Sequence, residues 1–179
     1  MSFRTIRTDF NEVFLCLQCY IAVATHDEEG IAISDMGTQI INDEGDYKVA
    51  IEYFTRAAAL GVSGAHYRLS CLYHRGEGIE KDMKRLLYHA EEASIGGHPL
   101  ARHNLGCVER RNGKMDRAVK HFIIAAKLGF DVSLECLKTL YKAGHVSKED
   151  FTAALRGHQA AIDAKKSPQR DEAAAAEDP

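Results

Sequence analysis

The sequence predicts an all-α protein, an α-solenoid in which antiparallel helix pairs stack into a right-handed superhelix. Two observations predict this fold: the chain resembles itself at offsets of 36 and 32 residues, and each repeat holds two amphipathic segments. Apolar residues at i, i+3, i+4 and i+7 give each segment one apolar stripe. Because neither helix of a pair can bury its stripe alone, successive pairs are expected to stack.

The first helix of each pair follows from three similar stretches. Each carries a leucine at the same place and two of the three carry a cysteine two residues later. The stretches are AHYRLSCLYHRGEG from Ala65, ARHNLGCVERRNG from Ala101 and SLECLKTLYKAG from Ser133, which align Leu69, Leu105 and Leu137.

The second helix of each pair ends at a glycine, because glycine takes the left-handed position that closes a helix without a steric penalty. Small residues recur where the two helices must approach closely, namely Ala57, Ala58, Ala93, Gly106, Ala125 and Ala126. The segments are GDYKVAIEYFTRAAALG, KDMKRLLYHAEEASIGG and GKMDRAVKHFIIAAKLG, which end at Gly61, Gly97 and Gly129.

The repeats predict the organisation of the chain. A degenerate first helix begins at Ala32, and the last pair ends in a helix for which Ser147 is a good N-cap. The predicted parts are a non-repeat segment over 1–31 that caps the first pair, repeats over 32–165 (about 32–61, 65–97, 101–129 and 133–165), and a disordered tail over 166–179.

Composition describes an ordinary protein of one domain. The 179 residues carry a formal charge of −3, which does not suggest a general nucleic-acid binder. Five scattered cysteines, an odd number, predict reduced thiols and no disulfide framework.

The stretch VFLCLQCYIAVA over residues 13–24 is apolar but too short to span a bilayer. It predicts a packing helix and no membrane span, and leaves a secretory signal open as an alternative. We therefore expect a soluble, cytoplasmic protein, or one on the secretory route if residues 1–24 are a signal peptide.

No motif for catalysis appears. The chain lacks G-x-S-x-G, a phosphate-binding loop and H-E-x-x-H, so we expect no enzyme and no cofactor. Cys16 and Cys19 form CLQC without enough nearby ligands for zinc, and His98 and His103 lack i, i+4 spacing, so we expect no metal.

The stretch AHYRLSCLYHRGEGIEKDMKRLLYHAEEASIGG resembles the Sel-1-like repeat family of tetratricopeptide-like solenoids. Ser70 replaces a glycine of the family pattern, and Leu86 replaces the alanine of its second helix. The positions that match are Ala65, Leu69, Tyr73, Gly76, Gly78, Ile79 and Asp82.

HRGEGIEKD, residues 74–82, interrupts a helical run within this stretch. Gly76 and Gly78 can take backbone angles that other residues resist, which lets the chain leave one helix and place Ile79 on the core. Asp82 can then cap the next helix. We interpret the motif as structural, together with Gly97, Leu105, Gly106 and Gly129.

The resemblance implies a concave face lined by the first helix of each pair. It places Tyr67, Cys71, His74 and Arg75 there, and later His103, Cys107, Arg110, Arg111, Glu135, Thr139 and Lys142. The basic members, Arg75, Arg110, Arg111 and Lys142 with His74, form a predicted stripe that could clamp carboxylates of a peptide. The alternative is that these charges are solvated helix ends, where cations are favoured anyway.

The resemblance also implies a protein-binding scaffold or adaptor without catalysis, whose partner is a protein or peptide. The predicted basic stripe would suit an acidic partner. The alternatives are a structural part that assembles larger complexes through its ends, and an accessory subunit of a ubiquitin-ligase or quality-control complex. The sequence does not indicate an oligomeric state.

Overall fold

The computed structural model of the chain describes residues 27–165, which contain eight helices and no strand. This confirms the predicted all-α class. In chain order the helices are α1 (27–43), α2 (Tyr47–Ala59), α3 (Ser63–Arg75), α4 (Met83–Ile95), α5 (Pro99–Arg111), α6 (Met115–Lys127), α7 (Asp131–Lys142) and α8 (Lys148–Lys165).

The chain forms two compact units, and the boundary lies between Met83 and Lys84. In the first unit α2 packs against α3, with a three-residue turn that reverses the chain between them. Phe54 and Ala57 of α2 and Ala65 and Leu69 of α3 are buried there.

Helix α1 also lies against α2. A Cβ on Gly37 would stand 3.1 Å from both Phe54 Cε1 and Tyr53 Cβ, so the two helices approach closely at this glycine. The helix includes residues 27–31, so it begins before Ala32, where the repeat pattern placed its first residue.

In the second unit α6 is the central helix, since it packs against α5, α7 and α8. The core contains Phe122 of α6, Leu137 and Leu140 of α7, and Ala154 of α8. A Cβ on Gly106 of α5 would stand 2.7 Å from Phe122 Cε1, so the ring fills the space that glycine leaves. The predicted role of small residues at helix contacts is confirmed at this point.

Gly61, Gly97 and Gly129 each follow a second helix with a positive φ, as predicted. After α6, Gly129 N–H donates to the carbonyl of Ala126 and Phe130 N–H donates to that of Ala125. These two bonds form a Schellman motif, which satisfies carbonyls that a helix end would otherwise leave without donors.

The interruption between α3 and α4 has the predicted conformation. Gly76 is the left-handed C-cap of α3, and its N–H donates to the Leu72 carbonyl at 2.8 Å. Gly78 has φ +71°, and a Cβ there would overlap Tyr47. Ile79 is half-buried, and α4 begins directly after Asp82.

The last helix begins as predicted. Ser147 Oγ accepts a hydrogen bond from the N–H of Asp150 at 3.0 Å and donates to the carboxylate of Asp150 at 2.9 Å. This reciprocal pair caps α8 at its first turn. Farther along α8, buried His158 lies 2.8 Å from the carboxylate of Asp131, which ties α8 to the start of α7.

Among residues 27–165, no helix is long and apolar enough to cross a membrane. CLQC, the signal-like segment over 13–24 and the predicted tail over 166–179 lie outside the described residues.

Candidate partner-binding face

Four of the residues that the sequence predicted for partner binding lie on α3 of the first unit. Tyr67 and Cys71 are half-buried, and His74 and Arg75 are exposed in the last turn. Arg75 lies 3.5 Å from the carboxylate of Glu77, just beyond the helix. The charge of Arg75 is therefore partly compensated within the same turn.

In the second unit the basic residues lie at two neighbouring helix ends. Arg110 and Arg111 occupy the last turn of α5, Lys142 occupies the last turn of α7, and all three lie at the surface. Within residues 27–165 none of them takes part in an ion pair. Their positive charges are thus directed to solvent.

Glu135 and Thr139 of α7 are also exposed, but both interact along their own helix. Glu135 pairs with Lys138 at 3.5 Å, and the Thr139 hydroxyl donates to the Glu135 carbonyl at 3.1 Å. Exposed pairs of this kind contribute little to stability. They leave the face between α5 and α7 with a surplus of positive charge.

His103 occupies a different environment from the one that the sequence suggested. It is half-buried, its Nδ1 lies 2.8 Å from the hydroxyl of fully buried Ser133, and its ring centre lies 5.2 Å from those of Phe122 and Phe130. The side chain joins α5 to α6 and α7. His103 is therefore a packing residue more than a contact for a partner.

Cys107 lies next to His103, with 3.5 Å between Sγ and Nε2. Burial raises the pKa of the Cys107 thiol, although the charges of Arg110 and Arg111 oppose this. Burial, and after it the charge of Arg110, lowers the pKa of His103. The order Ser133, His103, Cys107 resembles a nucleophile with its base, but a thiol that is held protonated is a poor nucleophile.

His98 has a structural role that its residue type did not reveal. It is the N-cap of α5, and its Nδ1 accepts a hydrogen bond from the N–H of Ala101 at 3.3 Å. Pro99 follows as the first helical residue, a position where proline is favoured. In the sequence, the signal for this role was a proline directly after a possible N-cap residue.

Sequence reasoning also missed a polar cluster on α5 and α6. Arg117 of α6 lies 2.9 Å from Glu109 of α5, and Arg102 of α5 donates to the Ser94 carbonyl at the end of α4. Burial first, and then the charge of Arg102, lowers the pKa of His121 in the same cluster. The spacing of Arg102 and Glu109, seven residues apart on one helical face, was the only signal for it.

No group of three or more histidine, cysteine or acidic side chains suited to a metal ion occurs among the residues that the structure describes. The second unit offers guanidinium and ammonium groups at the ends of α5 and α7. Such groups bind carboxylates, and arginine does so with two parallel hydrogen bonds.

The Sel1 repeat family model matches residues 37–62, 63–98 and 99–130. The chain belongs to the Sel1 repeat family. The second Sel1 repeat contains α3 and α4, and the third contains α5 and α6. The pair α7 and α8, which the sequence predicted as a further repeat over 133–165, follows the last matched repeat.

Two solved structures resemble this Sel1 chain. A Sel1 repeat protein from Oxalobacter formigenes is 26% identical, with a TM-score of 0.62, over 76% of this chain and 59% of that one. A protective antigen of uropathogenic Escherichia coli strains, which displays an SLR fold, is 25% identical, with a TM-score of 0.60, over 80% of this chain and 33% of that one. The Sel1 chain thus spans less than two thirds of either protein. No curated protein matches the chain.

These comparisons confirm the helical repeat solenoid fold. Sel1 repeat proteins are generally non-catalytic scaffolds for protein interactions.

Proposed function

We propose that this Sel1 repeat protein is a non-catalytic adaptor that binds an acidic segment of a protein partner through the basic face, which we define as Arg110, Arg111 and Lys142. One observation carries this proposal. The three cations lie at the surface of neighbouring helix ends, and no ion pair within residues 27–165 neutralises them.

Other arginines of the second unit behave differently. Arg117 is held by Glu109, and Arg102 donates to a backbone carbonyl. Arg110 and Arg111 therefore keep their hydrogen-bonding groups available, and two guanidinium groups in one helical turn suit an acidic peptide with more than one carboxylate. Arg75 of the first unit differs from them, because the carboxylate of Glu77 already pairs with it.

The competing explanation is that these cations only stabilise helix ends. Positive charge near the last carbonyls of a helix contributes roughly 0.3–1 kcal/mol whether or not a partner exists. The two explanations differ in what charge reversal removes. If the cations only stabilise helix ends, charge reversal lowers helix stability; if they bind a partner, charge reversal abolishes partner binding. No observation on the described residues favours the ubiquitin-ligase alternative.

The test compares capture of partners from native lysate by the unchanged protein and by an R110E/R111E variant. A K120E/R156E variant is the matched control, because Lys120 of α6 and Arg156 of α8 are exposed and the change in net charge is the same. Circular dichroism first establishes equal helicity. We expect R110E/R111E to lose a captured protein that K120E/R156E retains, and we expect the unchanged protein to lose it when salt is raised.

If the same protein is captured by all three, the basic face is not the binding site. If both variants lose it, net charge alone decides capture, and the proposal of a defined face is wrong.

A further inference from the structure

We propose that an acidic segment of the chain, residues 171–179, binds the basic face of the same molecule and competes with the partner. This inference rests on the proposed function of Arg110, Arg111 and Lys142. It adds an internal ligand for that face, so that the protein regulates access to its own binding site.

Charge supports this occupant. Residues 171–179 contain the four acidic residues Asp171, Glu172, Glu177 and Asp178 and no basic residue. The acidic residues form two adjacent pairs, Asp171 with Glu172 and Glu177 with Asp178, separated by four alanines. Lys166 and Arg170 lie before them, next to the end of α8.

The position of the end of α8 fixes the point from which residues 166–179 continue. Lys165 is the last residue of α8, and its Nζ lies 3.2 Å from the position of a Cβ on Gly129. Gly129 belongs to the turn between α6 and α7. Because consecutive helices joined by short turns run antiparallel, Arg110, Arg111 and Lys142 lie at the opposite helix ends from this turn.

The distance can be covered by the chain. A helix of 13 residues such as α6 is about 20 Å long, and the neighbouring helix layer adds about 10 Å. An extended chain spans at most about 3.3–3.6 Å per residue, so Asp171 reaches about 20 Å from Lys165 and Asp178 reaches about 45 Å. The first acidic pair therefore falls at or short of the required distance, and the second pair exceeds it, so the second pair is the one that can reach the face.

The carboxylates nearest to the three cations on their own helices are engaged, whereas Asp116 of α6 and Glu149 of α8, each in a first turn, are exposed. Glu135 is exposed on α7 but pairs with Lys138, and Glu109 of α5 is engaged by Arg117. The carboxylates of α5 and α7 closest in sequence to the three cations are thus already compensated. An acidic segment tethered to α8 then meets these cations at a high effective concentration, on the order of millimolar for a short linker.

The experiment measures binding of a fluorescent synthetic peptide with the sequence of residues 168–179, PQRDEAAAAEDP, to the full chain. The unchanged protein is compared with a D171N/E172Q/E177Q/D178N variant, whose own segment is neutral. We expect the neutral-segment variant to bind the peptide about fivefold or more tightly than the unchanged protein, because no internal ligand competes. Higher salt should reduce both affinities.

Two further variants locate the site. R110E/R111E in the neutral-segment background should abolish peptide binding, and K120E/R156E in the same background should preserve it. Equal affinity of the unchanged and neutral-segment proteins would overturn the inference, as would peptide binding that survives R110E/R111E. A difference in affinity that appears only at high protein concentration would show that the segment acts on a second molecule, and would also overturn it.

The two proposals fail separately. If the neutral-segment variant does not bind the peptide but lysate capture still depends on Arg110 and Arg111, only the internal ligand is wrong. If the peptide binds through Arg110 and Arg111 but no lysate protein depends on them, the face has an internal ligand and the adaptor role is wrong.

Discussion

Gly106 marks the closest approach of α5 to α6, and its missing side chain leaves room for the Phe122 ring. Alanine favours helices over glycine by about 1 kcal/mol, so Gly106→Ala would stabilise an isolated helix. Here a Cβ would meet Phe122 Cδ1 at 2.9 Å as well as Cε1 at 2.7 Å. Overpacking of a core costs roughly 1–3 kcal/mol, which exceeds the gain in helix propensity.

We therefore expect Gly106→Ala to lower the free energy of unfolding by about 1–2 kcal/mol, measured by urea denaturation. Gly64→Ala is the matched control, since Gly64 is also helical and has open space around it. The control should be neutral or more stable. Equal effects of the two substitutions would contradict the steric explanation.

His103 links protonation to stability. Its pKa is lowered in the folded protein by burial and by Arg110, so the folded state binds a proton less readily than the unfolded chain. The unfolded state then holds more protons as the pH falls below the ordinary value of 6.5. The stabilisation is complete above that pH and is lost as the pH falls through the lower pKa of the folded state.

Urea denaturation at pH 7.5 and 5.5 measures this effect. The unchanged protein should lose stability on acidification, and His103→Gln should lose less. His121 acts in the same direction, so the double variant with His121→Gln should show the smallest change. His145→Gln, at an exposed site, is the control and should behave as the unchanged protein. An unchanged pH dependence in the double variant would contradict this account.

At the scale of elements, the turn between α3 and α4 depends on Gly78. Its φ of +71° disfavours any side chain by roughly 1–2 kcal/mol, and Tyr47 occupies the place of a Cβ. We expect Gly78→Ala to cost more than about 2 kcal/mol in a thermal or urea denaturation experiment, by the sum of strain and overlap.

Gly61 separates these two contributions. It has φ +83°, but no atom lies within 4 Å of the place that a Cβ would take, so Gly61→Ala carries the backbone strain alone. It should cost about 1–2 kcal/mol. If the two alanine variants were equally stable, contact with Tyr47 would not contribute to the turn.

The elements themselves were predictable from sequence because their signals are local. The apolar spacing, the closing glycines and Ser147 each lie within a few residues of the feature that they specify. His103 was not predictable, because its environment depends on Ser133, 30 positions away, and on two rings from other elements. Its place in the repeat pattern suggested a contact for partners, whereas long-range packing holds it between helices.

The start of α1 and the polar cluster of Glu109 and Arg117 were missed for the same reason. The residues before Ala32 lack the repeat pattern, yet Gly30 is buried close to Leu60 and Val62. The burial of Gly30 depends on the turn after α2 that packs against it, so the sequence of α1 shows no apolar periodicity at this position.

At the scale of the whole molecule, each of the two units has a buried aromatic residue at its centre, Phe54 in the first and Phe122 in the second. In repeat proteins stability is approximately a sum over repeats and their interfaces. A substitution is therefore expected to destabilise mainly the repeat that contains it and the neighbours of that repeat. Truncation of a buried phenylalanine to alanine costs roughly 3–5 kcal/mol.

We expect Phe122→Ala to accelerate hydrogen exchange mainly in α5, α6, α7 and α8, and Phe54→Ala to accelerate it mainly in α1, α2 and α3. Mass spectrometry of peptides from each unit measures this directly. Uniform acceleration along the chain in both variants would show a single cooperative unit and contradict the prediction.

The contact of Gly106 with Phe122 also has a consequence for how the sequence can diverge. An alanine at position 106 becomes acceptable only when the residue at 122 is smaller, so the two positions should covary among descendants of this chain. Gly106→Ala combined with Phe122→Leu should then be more stable than the sum of the single effects implies.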